Sequence, residues 1–283
     1  MDFRSGRRST NVEDRRGASR GKAAVGGGAF LLVVVGLLLG QDPMTILQNV
    51  LDAGTTTSDS SRAQSHVDED ALAEFVTLVL GDTEVTWPAL MSQQANQAYV
   101  APTLVLFTDR VQSACGMQTA AVGPFYCPGD QKVYIDLGFF GELSSRFGAP
   151  GDFAQAYVVA HEVGHHIQHL LGTSARVRRQ QQSLDEAGAN DLSVRLELQA
   201  DCYAGVWAHH AERVRNVLEA GDIEEGLRAA AAIGDDTLQR NAGRAVLPES
   251  FTHGTSEQRV RWFRVGMQRG DMNRCDTFDV RTP

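Results

Sequence analysis

The segment VVAHEVGHHIQHLLG, residues 158–172, places four histidines within nine positions and constrains the chain more than any other feature. Apolar residues recur every three to four positions over residues 152–171, which predicts one helix ending near Gly172. Side chains at i and i+4 on a helix lie on the same face, so His161 and His165 can bind one ion together. The alternative is an exposed, histidine-rich helix that binds no metal.

Zinc is the ion that this pattern favours, because two imidazoles leave room for a third protein ligand and a water molecule. Glu162 follows His161 directly and can act as the general base on that water. His166 lies ~140° around the helix from His161, so we expect it to point away from the ion as a surface or outer residue. His169 lies only partly on the face of His161 and His165. If His165 and His169 were the two ligands, His166 would stand where the general base should be.

The third ligand is sought outside this helix. A third histidine six positions after His165 is excluded, because that position is Leu171 and the glycine expected before it is Gln168. The segment ELQAD offers Glu197 as a carboxylate ligand and Asp201, one turn later, as the acceptor that fixes the tautomer of a ligand imidazole. Three further carboxylates compete as the third ligand: Asp185, Glu186 and Asp191.

Residues 23–40, AAVGGGAFLLVVVGLLLG, carry no charge and are long enough to cross a bilayer core of ~30 Å. Seven basic residues against three acidic ones in residues 1–22 predict that this tail stays cytoplasmic. A cleavable signal peptide is the alternative, but no A-x-A-like site follows the apolar stretch. A buried core helix fits poorly with three consecutive glycines. We therefore expect a single-pass anchor in the cell membrane, with residues 41–283 outside the cytoplasm.

Charge and cysteine content extend this interpretation. The net charge is −9, and residues 23–283 carry −13, which disfavours nucleic-acid binding because phosphate contacts need clustered Lys and Arg. Four cysteines in an exported domain suggest two disulfides, and three pairings are open. Cys115 with Cys127 closes a short loop, and Cys202 then pairs with Cys275, facing away from the ion. Four buried free thiols are the alternative.

The remaining pattern predicts a helix-dominated α+β fold with a small sheet. The chain divides into a basic tail (1–22), an anchor (23–40), a linker (41–66) and one domain (67–283). Within the domain, a first helix starts at Asp68 and ends at Gly81, and an irregular stretch covers 180–192. Two strands are predicted at 99–109 and 132–140, and three later helices at 193–214, 223–233 and 255–270, the last with a Thr255–Gln258 capping box.

Long motifs in chain order identify a family. The anchor followed by GQDP, then SACG, GPFYCPGDQKVYIDLGFF, AYVVAHEVGHHIQ, ELQADCYAGVWA and FTHGTSEQRVRWF, closely resemble the bacterial neutral zinc metallopeptidase family. The resemblance covers nearly all of the chain after the linker as well as the anchor. It implies a membrane-anchored, gluzincin-like metallopeptidase with a zincin-like domain, with His161, His165 and Glu197 on Zn²⁺ and Glu162 as the catalytic residue.

Expectations about mechanism follow from these parts. Glu162 would take a proton from the zinc-activated water and pass it to the leaving amine of a peptide or protein substrate. His253, in FTHGTSE, is a candidate donor to the oxyanion, with a purely structural or capping role as the alternative. The strand KVYIDLGFF would be the sheet edge that binds the peptide backbone. Two other functions stay open: a membrane-tethered scaffold that keeps zinc without cleaving, and a zinc amidase or other non-peptide hydrolase.

Overall fold

Six short strands form a mixed sheet and a separate hairpin in the computed structural model, which describes residues 1–3, 6–17 and 59–279. In the sheet, β1, β2 and β6 run parallel and β5 pairs antiparallel with β6, in the spatial order β1-β2-β6-β5. The hairpin pairs β3 with β4. The strands are β1 (Val12–Asp14), β2 (Thr103–Phe107), β3 (Arg110–Ser113), β4 (Gly116–Thr119), β5 (Phe125–Cys127) and β6 (Lys132–Asp136).

The described residues also form eight α-helices, so the predicted helix-dominated α+β class is confirmed. They are α1 (Asp59–Ala95), α2 (Gly138–Ser145), α3 (Asp152–Leu170), α4 (Thr173–Gln181), α5 (Glu186–His210), α6 (Asp222–Ala232), α7 (Asp235–Asn241) and α8 (Ser256–Arg269). Helix α5 packs against both α3 and α8. The helices predicted at 152–171, 223–233 and 255–270 correspond to α3, α6 and α8, and the Thr255–Gln258 capping box is present.

The central strands are apolar on both faces because both faces are covered. Leu104 and Leu106 of β2 pack into the main core with the helices, whereas Val105 and Phe107 pack into a smaller cluster on the other face. Residues of β6 alternate in the same way, with Tyr134 in the smaller cluster. Side chains alternate between two faces that are both covered, so these strands form nearly continuous apolar runs in the sequence.

Several predicted boundaries were wrong. The helix predicted to end at Gly81 continues to Ala95, because this glycine is a packing residue: a Cβ there would lie 2.0 Å from the carbonyl oxygen of Arg7. The stretch 180–192 contains the end of α4 and the start of α5, which is capped by Asp185. The strand predicted over 132–140 stops at Asp136, and α2 follows it.

The N-terminal residues are part of the fold and do not form a separate tail. Strand β1 pairs in parallel with β2, and the buried carboxylate of Glu84 on α1 accepts hydrogen bonds from Ser9 Oγ at 2.6 Å and Asn11 Nδ2 at 2.8 Å. Residues 6–17 therefore pack on the domain predicted at 67–283, and the predicted membrane topology stays a prediction. Charge alone did not reveal the strand, because two arginines follow it directly.

No helix within the described ranges is long and apolar enough to cross a membrane, and the predicted anchor, residues 23–40, lies outside those ranges. The described cysteines form two disulfides, Cys115–Cys127 and Cys202–Cys275, in the predicted pairing. The first joins the β3–β4 hairpin to the end of β5. The second joins α5 to the C-terminal segment of the domain.

Candidate metal centre

Two packed helices supply the predicted ligands. His161 and His165 lie on α3, and Glu197 lies on α5. The helices approach closely at Gly164, where a Cβ would lie 2.9 Å from the carbonyl oxygen of Ala200 and 3.1 Å from its Cα. A side chain there would push the helices apart. Gly164, inside the HEVGH motif, therefore keeps the histidines close to the carboxylate.

The ligand atoms converge on one point. His161 Nε2 lies 3.1 Å from Glu197 Oε2, His165 Nε2 lies 3.3 Å from Glu197 Oε1, and the two Nε2 atoms are 3.1 Å apart. Tetrahedral ligands with bonds of about 2.0–2.1 Å to one zinc ion would be about 3.3 Å from one another. The spacing of the three donors therefore fits one zinc ion.

A buried network orients His161. Its Nδ1 lies 2.9 Å from Asp201 Oδ1, and Arg259 donates to both oxygens of Asp201, at 2.8 and 2.9 Å. Tyr157 donates a further hydrogen bond to Asp201. Burial alone would raise the pKa of Asp201, but Arg259 and His161 outweigh it and hold that pKa below its usual range. Asp201 is therefore an ionised acceptor, which keeps a proton on Nδ1 and turns Nε2 towards the site.

Arg259 reaches this network because α8 lies very close to α5. A Cβ on Gly266 of α8 would lie 1.9 Å from the carbonyl oxygen of Cys202, so only glycine permits the contact. Arg259 is 1% exposed. This role could not be predicted from the sequence, because Arg259 stands 58 residues from Asp201 and only the packing of the helices joins them.

A side-chain amide orients His165. Its Nδ1 lies 2.9 Å from Gln168 Oε1, and Gln168 Nε2 donates to the carbonyl oxygen of Leu196 at 2.7 Å. Since the amide nitrogen is used by that carbonyl, its oxygen faces the imidazole and accepts the Nδ1 proton. Sequence reasoning used Gln168 only to exclude a third histidine ligand and missed this function.

The hydrogen bonds of the two imidazoles make these residues suitable ligands for a metal ion. Both Nδ1 atoms donate to fixed acceptors, so both Nε2 atoms present lone pairs towards each other and towards a carboxylate. With neutral imidazoles, Glu162, Glu197, Asp201 and Arg259 carry a formal charge of −2 in this buried region. A divalent cation with nitrogen and oxygen ligands balances that charge, and zinc is the ion that this donor set favours.

Protons and the metal compete for the same nitrogens. Burial alone would lower the pKa of His161, but Asp201 and Glu197 outweigh it and raise it to about 9. Burial also opposes ionisation of Glu197, yet His165 and His161 hold its pKa well below the usual value. The site is therefore built to hold positive charge next to an ionised carboxylate.

Glu162 has the environment of a base. It is 7% exposed, and burial raises its pKa above the usual value for a glutamate. A carboxylate with a raised pKa accepts a proton more readily, which general base catalysis near neutral pH requires. It lines the same cleft as the three ligands but is not one of the converging donors.

His253 also lines the cleft, and a residue that the sequence did not reveal holds it. Its Nδ1 lies 3.2 Å from Asp235 Oδ1, and the other oxygen of Asp235 accepts the backbone N–H groups of Thr252, His253 and Gly254. The hydrogen bond to Asp235 raises the pKa of His253. No partner of its Nε2 lies within the described ranges, so this atom is available to a molecule in the cleft.

The remaining candidates lie elsewhere. His166 points away from the ligands, as expected, but it is fully buried and not a surface residue: its Nε2 donates to the carbonyl oxygen of Val100 at 2.6 Å, and its Nδ1 lies 3.0 Å from Tyr126 Oη. His169 is half-buried beside the Tyr126 ring. Among the competing carboxylates, Asp185 caps α5 and Asp191 pairs with Arg195. Glu186 is exposed in the first turn of α5.

An open cleft of about 570 Å³ lies over the ligands, and β5 forms part of its wall through Phe125 and Tyr126. The hydrogen bond between Tyr126 and His166 fixes β5 beside α3. The prediction that residues 132–140 form the sheet edge was wrong, because β6 has β2 on one side and β5 on the other. Strand β5 is the last strand of the sheet on the side of the cleft.

Comparison with known proteins agrees with the site. Residues 1–278 match the model of the family described as "Putative neutral zinc metallopeptidase". The uncharacterized protein YpfJ of Escherichia coli K12 is 45% identical over 98% of this chain and 99% of its own length. The uncharacterized protein Rv2575 of Mycobacterium tuberculosis H37Rv is 40% identical over 86% of this chain and 85% of its own. No solved structure matches the chain.

Proposed function

Because the chain belongs to the neutral zinc metallopeptidase family, we propose that it is a zinc-dependent hydrolase of peptide bonds with Glu162 as general base. The observation that carries the proposal is the buried Glu162 carboxylate beside the converging His161, His165 and Glu197 donors. A site that served only to stabilise the fold would need the ligands, and the further buried carboxylate of Glu162 would only add negative charge to it.

In this proposal His161, His165 and Glu197 hold zinc, which when bound acts as a Lewis acid on the scissile carbonyl and lowers the pKa of a coordinated water. Glu162 would accept the proton of the water molecule that attacks the carbonyl carbon. The same carboxyl group then delivers the proton to the leaving amine. Its raised pKa serves the first transfer, because the conjugate base of a weaker acid is the stronger base.

His253 is the proposed donor to the developing oxyanion. Asp235 accepts from Nδ1 and leaves Nε2 towards the cleft, and the raised pKa of the imidazole favours a protonated Nε2. A positively charged donor stabilises an oxyanion more strongly than it stabilises a neutral carbonyl, which is the condition for accelerating the reaction. Asp235 acts through His253 as a positioning residue.

Strand β5 is the proposed binding edge for the substrate backbone. It is the last strand on its side of the sheet, and its side chains line the cleft over the ligands. Addition of a peptide as a further strand uses backbone hydrogen bonds, so it tolerates many sequences. An extended peptide on β5 would place a carbonyl group over the α3 ligands.

We further propose that the domain works outside the reducing cytoplasm. Two disulfides in one domain are typical of exported proteins. Since β1 lies in the same sheet, residues 6–17 would share that compartment with the domain. Attachment to the membrane through residues 23–40 stays a prediction.

The experiment compares the full chain with its Glu162→Gln variant. The variant keeps every proposed ligand, so its zinc content and melting temperature should equal those of the wild type. Hydrolysis of a mixed peptide library, followed by mass spectrometry, should fall about 10²-fold or more. A chelator should abolish the wild-type activity, and one equivalent of zinc should restore it.

Glu186→Gln is the matched control, because this glutamate is exposed at the far end of α5 and should leave activity unchanged. Equal activity of Glu162→Gln and wild type would refute the mechanism. A zinc-loaded wild-type protein that cleaves no peptide would refute the peptidase proposal and favour the scaffold or a non-peptide hydrolase.

A further inference from the structure

One disulfide bounds the wall of the cleft that carries β5. Cys115 lies in the turn of the β3–β4 hairpin, Cys127 ends β5, and the bond between them closes a loop with a sequence separation of 12. Every residue from 120 to 126 lines the cleft over the metal centre, and all of them lie inside this loop. The disulfide therefore joins the two ends of the segment that forms this wall.

The two disulfides differ in their exposure to solvent. Cys115 is exposed, whereas its partner Cys127 is fully buried. Cys202 and Cys275 are both 0% exposed and lie in the main core. A thiolate breaks a disulfide by attacking one of its sulfur atoms, so exposed disulfides are the ones that are reduced readily. A reductant in solvent can therefore reach the first disulfide at Cys115, and burial protects the second.

The part of the wall between β4 and β5 depends on the anchoring of its ends. A single 3-10 turn follows β4, and its residues Ala121 and Val122 are exposed. Strand β5 has contacts of its own, since it pairs with β6 and Phe125 stacks on Tyr134 at 4.7 Å. A segment with so little buried surface opens locally at low cost once its covalent link is gone. Loss of the disulfide would thus loosen residues 116–124 and leave β5 and the zinc ligands in place.

From this arrangement we propose that the Cys115–Cys127 disulfide is a redox switch on the wall of the cleft, opened by a dithiol reductant. The intact bond holds the wall in the form that binds an extended peptide, and reduction releases it. The oxidised protein is therefore the active form. This role rests on the proposed peptidase function, because the switch regulates the same cleft.

The exchange takes place in two steps. A thiolate of the reductant attacks Sγ of Cys115, the bond between the cysteines breaks, and Cys127 leaves as a thiolate. The second thiolate of the reductant then attacks the reductant sulfur that is bonded to Cys115. This closes the reductant's own disulfide and releases the Cys115 thiolate. The reductant loses two electrons, the cysteine pair gains them, and the two thiol protons of the reductant end on Cys115 and Cys127.

The first test measures which disulfide opens. The zinc-loaded full chain is incubated with dithiothreitol, then unfolded in excess iodoacetamide and digested, and mass spectrometry counts the labelled cysteines. Cys115 and Cys127 should be labelled at least about 10-fold faster than Cys202 and Cys275, because the rate of exchange depends on access to the sulfur. Equal rates for the two pairs, or faster opening of Cys202–Cys275, would overturn the proposal.

The second test measures the wall without any need for cleavage. Backbone amides of residues 116–124 should exchange hydrogen at least about 10-fold faster in the reduced protein, whereas those of α3 should keep their rates. Dithiothreitol also binds zinc through its thiolates, so it is removed under exclusion of oxygen and the zinc content is measured before the comparison. Exchange in residues 116–124 that reduction leaves unchanged would overturn the proposal.

The third test is cleavage of a mixed peptide library at low substrate concentration. Reduction should lower the rate about 10-fold, because the apparent affinity falls with the fraction of molecules whose wall is in place. Oxidation with oxidised glutathione should restore the rate. A rate that reduction leaves unchanged or raises would overturn the switch. Selective opening of Cys115–Cys127 with faster exchange, in a protein that cleaves no peptide, would support the switch of the wall and refute the hydrolase.

Variants assign the effect to this one disulfide. The double change Cys115→Ala with Cys127→Ala should keep its zinc, cleave as slowly as the reduced wild type and no longer respond to dithiothreitol. Met117→Ala, at an exposed position of the same hairpin outside the cleft, is the matched control and should respond as the wild type does. A double variant that folds, binds zinc and still loses activity on reduction would overturn the proposal.

Discussion

Arg259 offers the sharpest test of how the fold prepares the metal centre. Arg259 is 1% exposed, and its guanidinium donates to both oxygens of Asp201, at 2.8 and 2.9 Å. Arg259→Met keeps most of the side-chain length and removes the charge. Asp201 then stays buried beside His161 without its cationic partner, and breaking a buried ion pair in this way costs about 3–5 kcal/mol of unfolding free energy.

The same change should weaken zinc binding by a separate route. Without Arg259, burial raises the pKa of Asp201, and a protonated carboxyl group no longer accepts the Nδ1 proton of His161. Loss of such an outer partner lowers metal affinity about 10–100-fold. Unfolding in urea with excess chelator measures the first effect, and zinc competition against a chelating dye measures the second.

Two further variants separate the effects. Arg261→Met alters an exposed arginine of α8 two positions away and should change neither measurement. The double change Arg259→Met with Asp201→Asn leaves no unpaired charge, so most of the stability should return while zinc affinity stays low, because an amide cannot make His161 more basic. An Arg259→Met protein within 1 kcal/mol of wild type in chelator, and within twofold in zinc affinity, would refute the role assigned to this arginine.

Two other predictions concern packing and protonation. Gly164→Ala should cost about 1–3 kcal/mol of unfolding free energy and weaken zinc binding, since its Cβ would lie 2.9 Å from an α5 carbonyl oxygen. Gly141→Ala has open space around it and should stabilise α2 by about 0.5–1 kcal/mol. Urea unfolding measures both stabilities, and zinc titration measures the affinity. Burial lowers the pKa of His166 from 6.5 to about 4, so the unfolded chain binds the proton more tightly and stability is lost as pH falls from 6.5 to 4. His166→Gln should remove about 3 kcal/mol of this pH dependence. Urea unfolding at pH 7 and at pH 4 measures it. If the unfolding free energy falls by the same amount between the two pH values in the wild type and the variant, the assignment is contradicted.

The sequence predicted the parts of the site that lie on one helix turn. His161, Glu162 and His165 follow from helical spacing, and Glu197 with Asp201 from the same spacing on a second helix. The structure brings the three donors together as expected. Such patterns are readable because an α-helix fixes the relation between positions four residues apart, whatever the rest of the chain does.

The outer residues of the site could not be predicted in the same way. Arg259 and Asp235 act on residues that are 58 and 18 positions away, and their contacts exist only because whole helices pack together. Gly266 and Gly164 allow the helices to pack this closely. In a sequence, however, a glycine within a helix normally indicates lower helix stability and not a close contact. Gln168 was within reach, since it lies one turn after His165 and glutamine is an ordinary acceptor for an imidazole N–H.

The N-terminal strand shows a part of the fold that composition does not reveal. Basic residues around a short segment before an apolar stretch predict a cytoplasmic tail, but β1 needs only three residues to pair with β2, too few to leave a compositional signal. The chain leaves the fold after β1 and returns to it at α1, so both ends of the connection belong to one domain. The contacts of Glu84 on α1 with Ser9 and Asn11 also hold the N-terminal residues on this domain. A shortened protein that begins after residues 23–40 would lose β1 and with it one edge of the sheet.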